Sequence, residues 1–233
     1  MRGQLHRAVV LALFVGLAAC VPVGELQEET RSVEKGAAVS ALVELAMGAG
    51  EFRVSGGARE LFEGTFAYNV EKWKPEITYH VSGDRGRLHV RQGKSSGIPA
   101  GKGRNRWEIY LNEEIPLDLV IDFGAGEGRL NLEGLDLRSV NVDMGVGDLT
   151  IDLSGPRAHD MDVKVDGGVG AATLYLPSDI GVRVVVDKGI GSIDANGFVK
   201  RGGAFTNSAY GESEIEMDVS IDAGIGSIDL RLK

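Results

Sequence analysis

The residues that could do chemistry at a regular spacing are aspartates. Each of five aspartates stands two residues before the first glycine of a Gly-x-Gly segment, namely Asp122, Asp143, Asp166, Asp187 and Asp222. If the segments stack, carboxylates about 5 Å apart repel one another, so either bound Ca²⁺ or N–H groups of the glycine turn must offset their charge. The sequence favours the turn, because no copy has the Gly-Gly-x-Gly-x-Asp form of calcium-binding β-rolls. Weak calcium binding by this ladder is the alternative hypothesis.

Other catalytic patterns are missing from the sequence. His80, His89 and His159 are scattered, without the spacing of metal ligands. No Gly-x-Ser-x-Gly nucleophile elbow is predicted, because the one string of that form, residues 93–97, belongs to a Gly- and Ser-rich loop rather than to a strand-to-helix turn. The Gly-x-Gly segments precede strands rather than the helix that a dinucleotide site needs. We therefore predict no catalytic residues, no metal centre and no cofactor. The alternative is an envelope polysaccharide-active enzyme on a β-helix, which would need a groove with converging Asp, Glu or Arg side chains.

The N-terminus predicts covalent lipid attachment. Arg2 and Arg7 flank an apolar stretch, residues 8–17, that is too short to span a bilayer. The following run Leu17-Ala18-Ala19-Cys20 resembles the lipobox of bacterial lipoproteins, and Cys20 is the only cysteine of the chain. This resemblance implies that residues 1–19 are removed and that Cys20 carries the lipid, facing outside the cytoplasm. An ordinary secretory signal is the alternative; in either case we predict that residues 20–37 form a tether.

Charge is unevenly distributed along the chain. The net charge of -9 argues against nucleic-acid binding. Residues 111–233 contain 22 acidic and 10 basic residues. By contrast, the stretch 84–107 contains one acid and seven basic residues, which are Arg85, Arg87, Arg91, Lys94, Lys102, Arg104 and Arg106. We predict that Lys102, Arg104 and Arg106 contact anionic lipid headgroups or an anionic envelope polymer. The alternative is that these charges pair with the acidic remainder of the chain.

The elements that carry these residues are predicted from the glycines, of which there are 34. Twelve form six Gly-x-Gly pairs: Gly48 and Gly50, Gly124 and Gly126, Gly145 and Gly147, Gly168 and Gly170, Gly189 and Gly191, and Gly224 and Gly226. The middle spacings of 21, 23 and 21 residues are typical of a solenoid. We predict an all-β fold, a parallel β-helix of short coils over 121–233, preceded by an N-terminal β region over 38–120 with a long insertion.

Alternating apolar residues change parity at each glycine pair. Val140, Val142, Met144 and Val146 precede one pair, and Leu149, Ile151 and Leu153 follow it. Apolar residues on both sides of the glycine pair can face the same interior only if the chain turns a corner at the pair, which glycine permits. The same rule assigns Val169, Ile190 and Ile225 to the interior. With only 6% aromatic residues, we predict a thin aliphatic interior with little room for Phe or Trp.

Several segments resemble the toast-rack family of bacterial envelope proteins. They are the Gly-x-Gly coils, Glu-Gly-Thr-Phe-Ala-Tyr-Asn at 63–69, Trp-Lys-Pro-Glu-Ile at 73–77, Leu-Arg-Ser-Val-Asn-Val at 137–142 and Ala-Tyr-Gly at 209–211. The later coils are similar to the C-terminal domain of cell-wall-active-antibiotic response regulators. The resemblance covers about residues 38–233. It implies a β-solenoid in the cell envelope and no set of catalytic residues.

These observations together predict a non-catalytic, lipid-anchored envelope protein that acts as a scaffold, adhesion or stress-sensing module through its solenoid surface. Its predicted partners are the membrane and another envelope protein or anionic polymer. The apolar alternation of Ile228, Leu230 and Leu232 ends the chain as a last coil. Such a coil would expose a strand edge, which could support a homodimer.

Overall fold

Fifteen strands and one 3₁₀ helix make up the part of the chain that the computed structural model describes, residues 20–94, 98–99 and 101–233. The predicted signal peptide, residues 1–19, lies outside the described residues. In chain order the strands are β1 (Cys20–Val21), β2 (Gln27–Val33), β3 (Ser40–Gly56), β4 (Phe62–Tyr68), β5 (Pro75–Ser82), β6 (Arg85–Gln92), β7 (Ile98–Pro99), β8 (Asn105–Leu111), β9 (Leu117–Asn131), β10 (Leu137–Asp152), β11 (Met161–Leu176), β12 (Gly181–Asn196), β13 (Val199–Arg201), β14 (Ala204–Thr206) and β15 (Glu216–Leu232). The 3₁₀ helix is Glu71–Trp73.

Six long strands form the body of the molecule. Each has 15 to 17 residues and contains one Gly-x-Gly pair. They stack in parallel in the spatial order β12–β15–β11–β10–β9–β3. We call each bent strand a coil, the bend its corner, and the parts before and after the bend its first and second arms. The stack confirms the predicted all-β solenoid of Gly-x-Gly coils.

Both glycines of a pair are required, for different reasons. The second glycine always has a positive φ, for example 137° at Gly147 and 154° at Gly226, which side chains rarely tolerate. The first glycine touches the neighbouring coil, so a Cβ on Gly145 would overlap the carbonyl oxygen of Gly124. Positive φ re-aims the chain, and the apolar residues of both arms therefore face the same interior.

The insertion within the N-terminal region builds a seventh coil. The first arm of β3 pairs in parallel with β6, and its second arm pairs in parallel with β8. The connection from β6 to β8, which contains β7, takes the place that a glycine corner has in the other coils. The sheet then continues with antiparallel neighbours: β5 on β6, β4 on β8, and β2 on β4.

Residues predicted as a tether are partly in the sheet. The strand Gln27–Val33 pairs along its whole length with β4, because its backbone completes the open edge of that strand. The prediction of a free tether over 20–37 is therefore wrong for this strand. Likewise β3 belongs to the same stack as the later coils, and the predicted boundary at 120/121 falls inside β9.

The last strand is not the last coil. β15 lies between β11 and β12, paired with both over almost its entire length. The predicted exposed edge at 227–232 is thus covered on both sides. The outermost coil is β12 instead, and the β13–β14 hairpin pairs only with its residues 183–185.

The interior holds more aromatic volume than predicted, and its largest fully buried aromatic side chains lie near β3. The Phe52 and Phe123 rings stack with centroids 5.6 Å apart, and Phe66 meets Trp107 edge-to-face at 5.0 Å. Gly128 makes this room, since its missing side chain leaves space beside Phe123 and Leu149. Towards β12 the residues before the corner shrink to Gly167 and Ala223, leaving a cavity of about 40 Å³.

Candidate functional site

An exposed apolar row follows the corners of the stack. The middle residues of successive glycine pairs are neighbours across the strands, in the order Ala49, Ala125, Val146, Val169, Ile225, Ile190. The last four are the large ones, and their exposed fractions are 54%, 48%, 51% and 73%. We call Val146, Val169, Ile225 and Ile190 the corner ridge. The prediction that these four belong to the interior is wrong, because the residue between the two glycines lies on the outside of the corner.

The five repeated aspartates form a row beside the corner ridge. In spatial order they are Asp122, Asp143, Asp166, Asp222 and Asp187, each paired with the next across adjacent parallel strands. Within the described residues, the one charge partner of this row is Lys164, whose Nζ lies 2.6 Å from Asp166 Oδ2. The hydrogen bond to Asp166, with the charges of Asp222 and Asp143, raises the pKa of Lys164 above its usual value.

The predicted balance of the aspartate row by its own turns is not observed. No backbone N–H of the glycine corners donates to these five carboxylates in the part of the chain that the structure describes. Nor do three or more His, Cys, Asp or Glu side chains converge as metal ligands would, among those same residues. The row is therefore a strip of negative charge facing solvent, relieved at one point by Lys164.

The outer faces of the first arms form a broad, shallow depression. Its volume is about 900 Å³, and its lining includes Arg85, Asp118, Lys164, Arg183 and Asp218. Asp118 lies 2.7 Å from Arg85, and Asp218 lies 3.3 Å from Arg183. These carboxylates are thus neutralised by arginines across the strands rather than paired with each other as an acid and a base would be.

The seven basic residues of 84–107 divide into two groups. Three arginines of β6 pair with acids on neighbouring strands: Arg85 with Asp118, Arg87 with Glu44 and Arg91 with Glu76. Lys94, Lys102, Arg104 and Arg106 are exposed, and no carboxylate of the described residues forms a salt bridge with them. The acid nearest in register to Arg106 is Glu51, which pairs with Arg53. The predicted alternative of pairing with acids is thus observed for the three arginines of β6 but not for Lys102, Arg104 and Arg106. Contact of those three with an anionic lipid or polymer stays a prediction.

The segment of residues 20–24 lies against these exposed cations. β1 pairs in parallel with β7, which places Cys20 beside Ile98. Asn69 then connects the two segments: its carbonyl accepts from Gly24 N at 2.8 Å, its Nδ2 donates to Lys102 O at 3.0 Å, and its Oδ1 accepts from Arg104 N at 2.6 Å. The side chain of Cys20 is not described.

Arg157 and His159 close the opposite edge of the coils, where one coil leads to the next. The guanidinium of Arg157 donates to the carbonyls of Leu135 (2.8 Å) and Leu153 (3.0 Å), and burial lowers its pKa. Both ring nitrogens of His159 face oxygens, Asp160 O at 3.0 Å and Asp136 Oδ1 at 2.8 Å. These two contacts raise the pKa of His159 because only the protonated ring can donate to both.

The fold and these surfaces define a short-coil β-solenoid with a charged end and an apolar ridge. The chain belongs to the toast_rack family, since residues 22–175 match the model described as the N-terminal domain of toast_rack, DUF2154. Residues 124–230 also match the model described as cell wall-active antibiotics response LiaF, C-terminal. No helix in the described residues is long and apolar enough to cross a membrane.

Two similar proteins extend this assignment. Protein LiaF of Bacillus subtilis (strain 168) is 31% identical over 108 residues, which is 42% of this chain and 45% of LiaF. The match thus spans less than half the length of that relative. A crystal structure from Clostridium sporogenes, provisionally named a cell adhesion protein, is 39% identical, covers 90% of this chain and all of its own, and superimposes with a TM-score of 0.87.

Sequence reasoning missed three functional features of this surface. The corner ridge was hidden by treating parity as the only rule for orientation. Asn69 connects the segment of residues 20–24 to the basic residues, and it lies in the motif at 63–69 that indicates only the family resemblance. Arg157 had no sequence signal beyond its place in the loop before β11.

Proposed function

We propose that this chain is a non-catalytic module of the bacterial cell envelope, anchored by lipid on Cys20, that binds another envelope protein along its corner ridge. One observation carries the proposal: four aliphatic side chains in successive coils are about half exposed or more, in a continuous row. Neighbouring strands are about 4.8 Å apart, so these side chains form one apolar strip. A continuous exposed strip of this kind is typical of a protein interaction site.

Charge defines the chemistry of the partner. The aspartate row runs parallel to the ridge, with Asp143, Asp166, Asp222 and Asp187 each two strand positions before a corner glycine. A partner segment with aliphatic side chains flanked by lysine or arginine would match both rows. An acidic partner or an anionic lipid surface would be repelled from this side.

The setting of the proposed interaction is the response of the envelope to stress or adhesion. The matched LiaF model is described by a response to cell wall-active antibiotics, and the similar crystal structure is named for cell adhesion. Both descriptions are compatible with a scaffold or sensing role outside the cytoplasm. The lipobox-like residues 17–20 support lipid attachment as the means of retention there.

A site-specific cross-linking experiment tests the ridge. A photo-reactive amino acid replaces Ile190 on the ridge or, as the control, Val199, which is 54% exposed on the β13–β14 hairpin. We expect a discrete adduct in intact cells from position 190, lost when Val169→Ser and Ile225→Ser are added, and none from position 199. Equal adducts from both positions, or an adduct indifferent to the two serines, would contradict the proposal.

Metabolic labelling tests the anchor separately. Cells fed an alkyne analogue of palmitate should label the wild-type protein and leave the Cys20→Ser variant unlabelled. Label retained by Cys20→Ser would disprove attachment at this residue.

A further inference from the structure

The exposed cations and the segment of residues 20–24 lie at the same corner of the seventh coil. β1 pairs with β7, and Gly101 lies beside the side chain of Val23, since a Cβ added to it would be 3.8 Å from Val23 Cγ2. Asn69 fixes the backbone of Lys102 and Arg104 next to this segment with two hydrogen bonds. The fold therefore fixes the position of the basic residues relative to the segment of residues 20–24, and no free linker separates them.

The local charge at this corner has no internal counterpart. Lys72, Lys74 and Lys94 are exposed and adjoin the same loop, since Gly93 N donates to Lys74 O at 3.1 Å. Among the described residues, none of these lysines forms a salt bridge, as is also true of Lys102, Arg104 and Arg106. Six positive charges are thus gathered at one end of a chain whose later coils are strongly acidic.

A cleft beside Arg104 and Arg106 has room for a phosphate group. It has a volume of about 370 Å³, and its lining includes Arg104, Arg106, Leu26 and Glu51, whose carboxylate pairs with Arg53. The Leu26 side chain is 52% exposed. An apolar side chain beside arginines is the combination that peripheral membrane proteins place in the headgroup region.

We infer that this corner is the membrane-facing surface of the protein, where Lys102, Arg104 and Arg106 bind the phosphates of anionic lipid headgroups. The inference rests on the proposed anchor for its orientation, since a lipid on Cys20 holds these residues within a Debye length of the membrane. The acidic coils are repelled by the same membrane and extend away from it. The ridge residues Ile225 and Ile190, at the far end of the stack, are then accessible to a partner.

A vesicle-binding experiment with matched variants tests the surface without the lipid anchor. The protein is the mature chain, residues 20–233 with Cys20→Ser, which contains every strand. The test variant is Lys102→Gln, Arg104→Gln and Arg106→Gln combined. The control, Arg85→Gln, Arg87→Gln and Arg91→Gln combined, has the same net charge but alters only the paired arginines.

We expect binding to vesicles of phosphatidylcholine with phosphatidylglycerol as the sole anionic lipid, and little binding to phosphatidylcholine alone. The test variant should lose about 100-fold in partition coefficient, and the control less than about threefold. High salt should weaken the wild type towards the test variant. Circular dichroism and thermal melting of each variant establish that the fold is retained.

Three outcomes would overturn the inference. Equal losses in the two triple variants would mean that net charge alone governs binding. Binding of soluble dextran sulfate, used as the probe for anionic polymers, with no binding to the anionic vesicles would assign the surface to a polymer instead. No binding to either probe would mean that the cations are only solvated. Because the protein is not acylated, failure here is distinguishable from failure of the palmitate labelling.

Discussion

Gly167 and Gly168 are neighbours in one strand, but only Gly168 lies against another coil. A Cβ on Gly168 would overlap the carbonyl oxygen of Gly145, whereas a Cβ on Gly167 would have only Asp222 O nearby, at 3.9 Å. Gly167 also borders the small apolar cavity at the corner of β11. Close packing thus requires glycine at position 168, whereas position 167 has room for a larger side chain.

Alanine at these two positions should have opposite effects. Gly167→Ala should stabilise the protein by up to about 1 kcal/mol, because it restricts the unfolded chain without strain in the folded one. Gly168→Ala should destabilise it by about 1–3 kcal/mol, because the coils must move apart. Urea denaturation of both variants measures the difference, and a stabilising Gly168→Ala would contradict the close approach of the corners.

The seventh coil replaces its glycine corner with two amide side chains. Gln92 Oε1 accepts hydrogen bonds from Gly48 N at 3.0 Å and from Asn105 Nδ2 at 2.8 Å. Asn105 Nδ2 also donates to Ala49 O at 3.0 Å. The backbone of the β3 corner is therefore capped at the point where the stack of glycine corners ends.

Removal of this cap should cost more than removal of a comparable exposed amide. Gln92→Ala leaves two donors without their acceptor and should lower the free energy of unfolding by about 1 kcal/mol or more. Gln27→Ala, which removes an exposed hydrogen bond to Glu71 of 2.8 Å, is the matched control and should change it by less than about 0.5 kcal/mol. Equal effects in urea denaturation would show that Gln92 is no more than a surface residue.

The aspartate row should be electrostatically frustrated. Asp222 stands between Asp166 and Asp187, whereas Asp218 on the same strand is 3.3 Å from Arg183. Asp222→Asn should therefore raise the urea midpoint at low salt, by about 0.5 kcal/mol in stability, and the gain should shrink at high salt. Asp218→Asn, as the control, should give no gain. If millimolar Ca²⁺ instead raised the urea midpoint of the wild type but not that of Asp222→Asn, the result would favour the calcium hypothesis.

His159 should make the stability depend on pH. Its pKa is raised in the folded protein above the ordinary value of 6.5 by contacts with Asp160 O and Asp136. The resulting stabilisation is fully present below the unfolded pKa and is lost as pH rises through the folded pKa. Urea midpoints from about pH 6 to 8 should fall for wild type more than for His159→Asn. His80→Asn, at an exposed position, should follow the wild type.

The repeated corner was predictable because its cause is local. Parity of the apolar residues and a pair of glycines are both properties of a few consecutive residues, and they determine the arms and the bend. The spatial order of the coils was not predictable, because any coil could pair with any other with its glycine corners aligned in the same way. The 35-residue spacing from Gly189 to Gly224 was its one signal, because the connection must clear β12 and carry the β13–β14 hairpin.

The candidate surfaces were predicted only in part, for a related reason. Paired and unpaired cations follow one another within one short stretch, and the difference lies in acids from three other strands: Asp118, Glu44 and Glu76. Those contacts follow from which strands β6 and β3 adjoin. Val146 and its neighbours are exposed because they lie at the corner, where the positive φ of the second glycine interrupts the strand. A rule based on alternating apolar residues holds only within a continuous strand and therefore assigns them to the wrong side.

The place of β15 between β11 and β12 has a consequence for biogenesis. During synthesis, β12 emerges before the strand that joins it to the rest of the stack. A nascent chain that stops short of residue 216 has β11 with one bare edge and β12 with no parallel partner. The outermost coil therefore cannot be added in chain order, because β12 joins the stack only after the C-terminal strand has been made. Until then its strand edges are exposed, and this is the stage at which a chaperone would prevent aggregation most effectively.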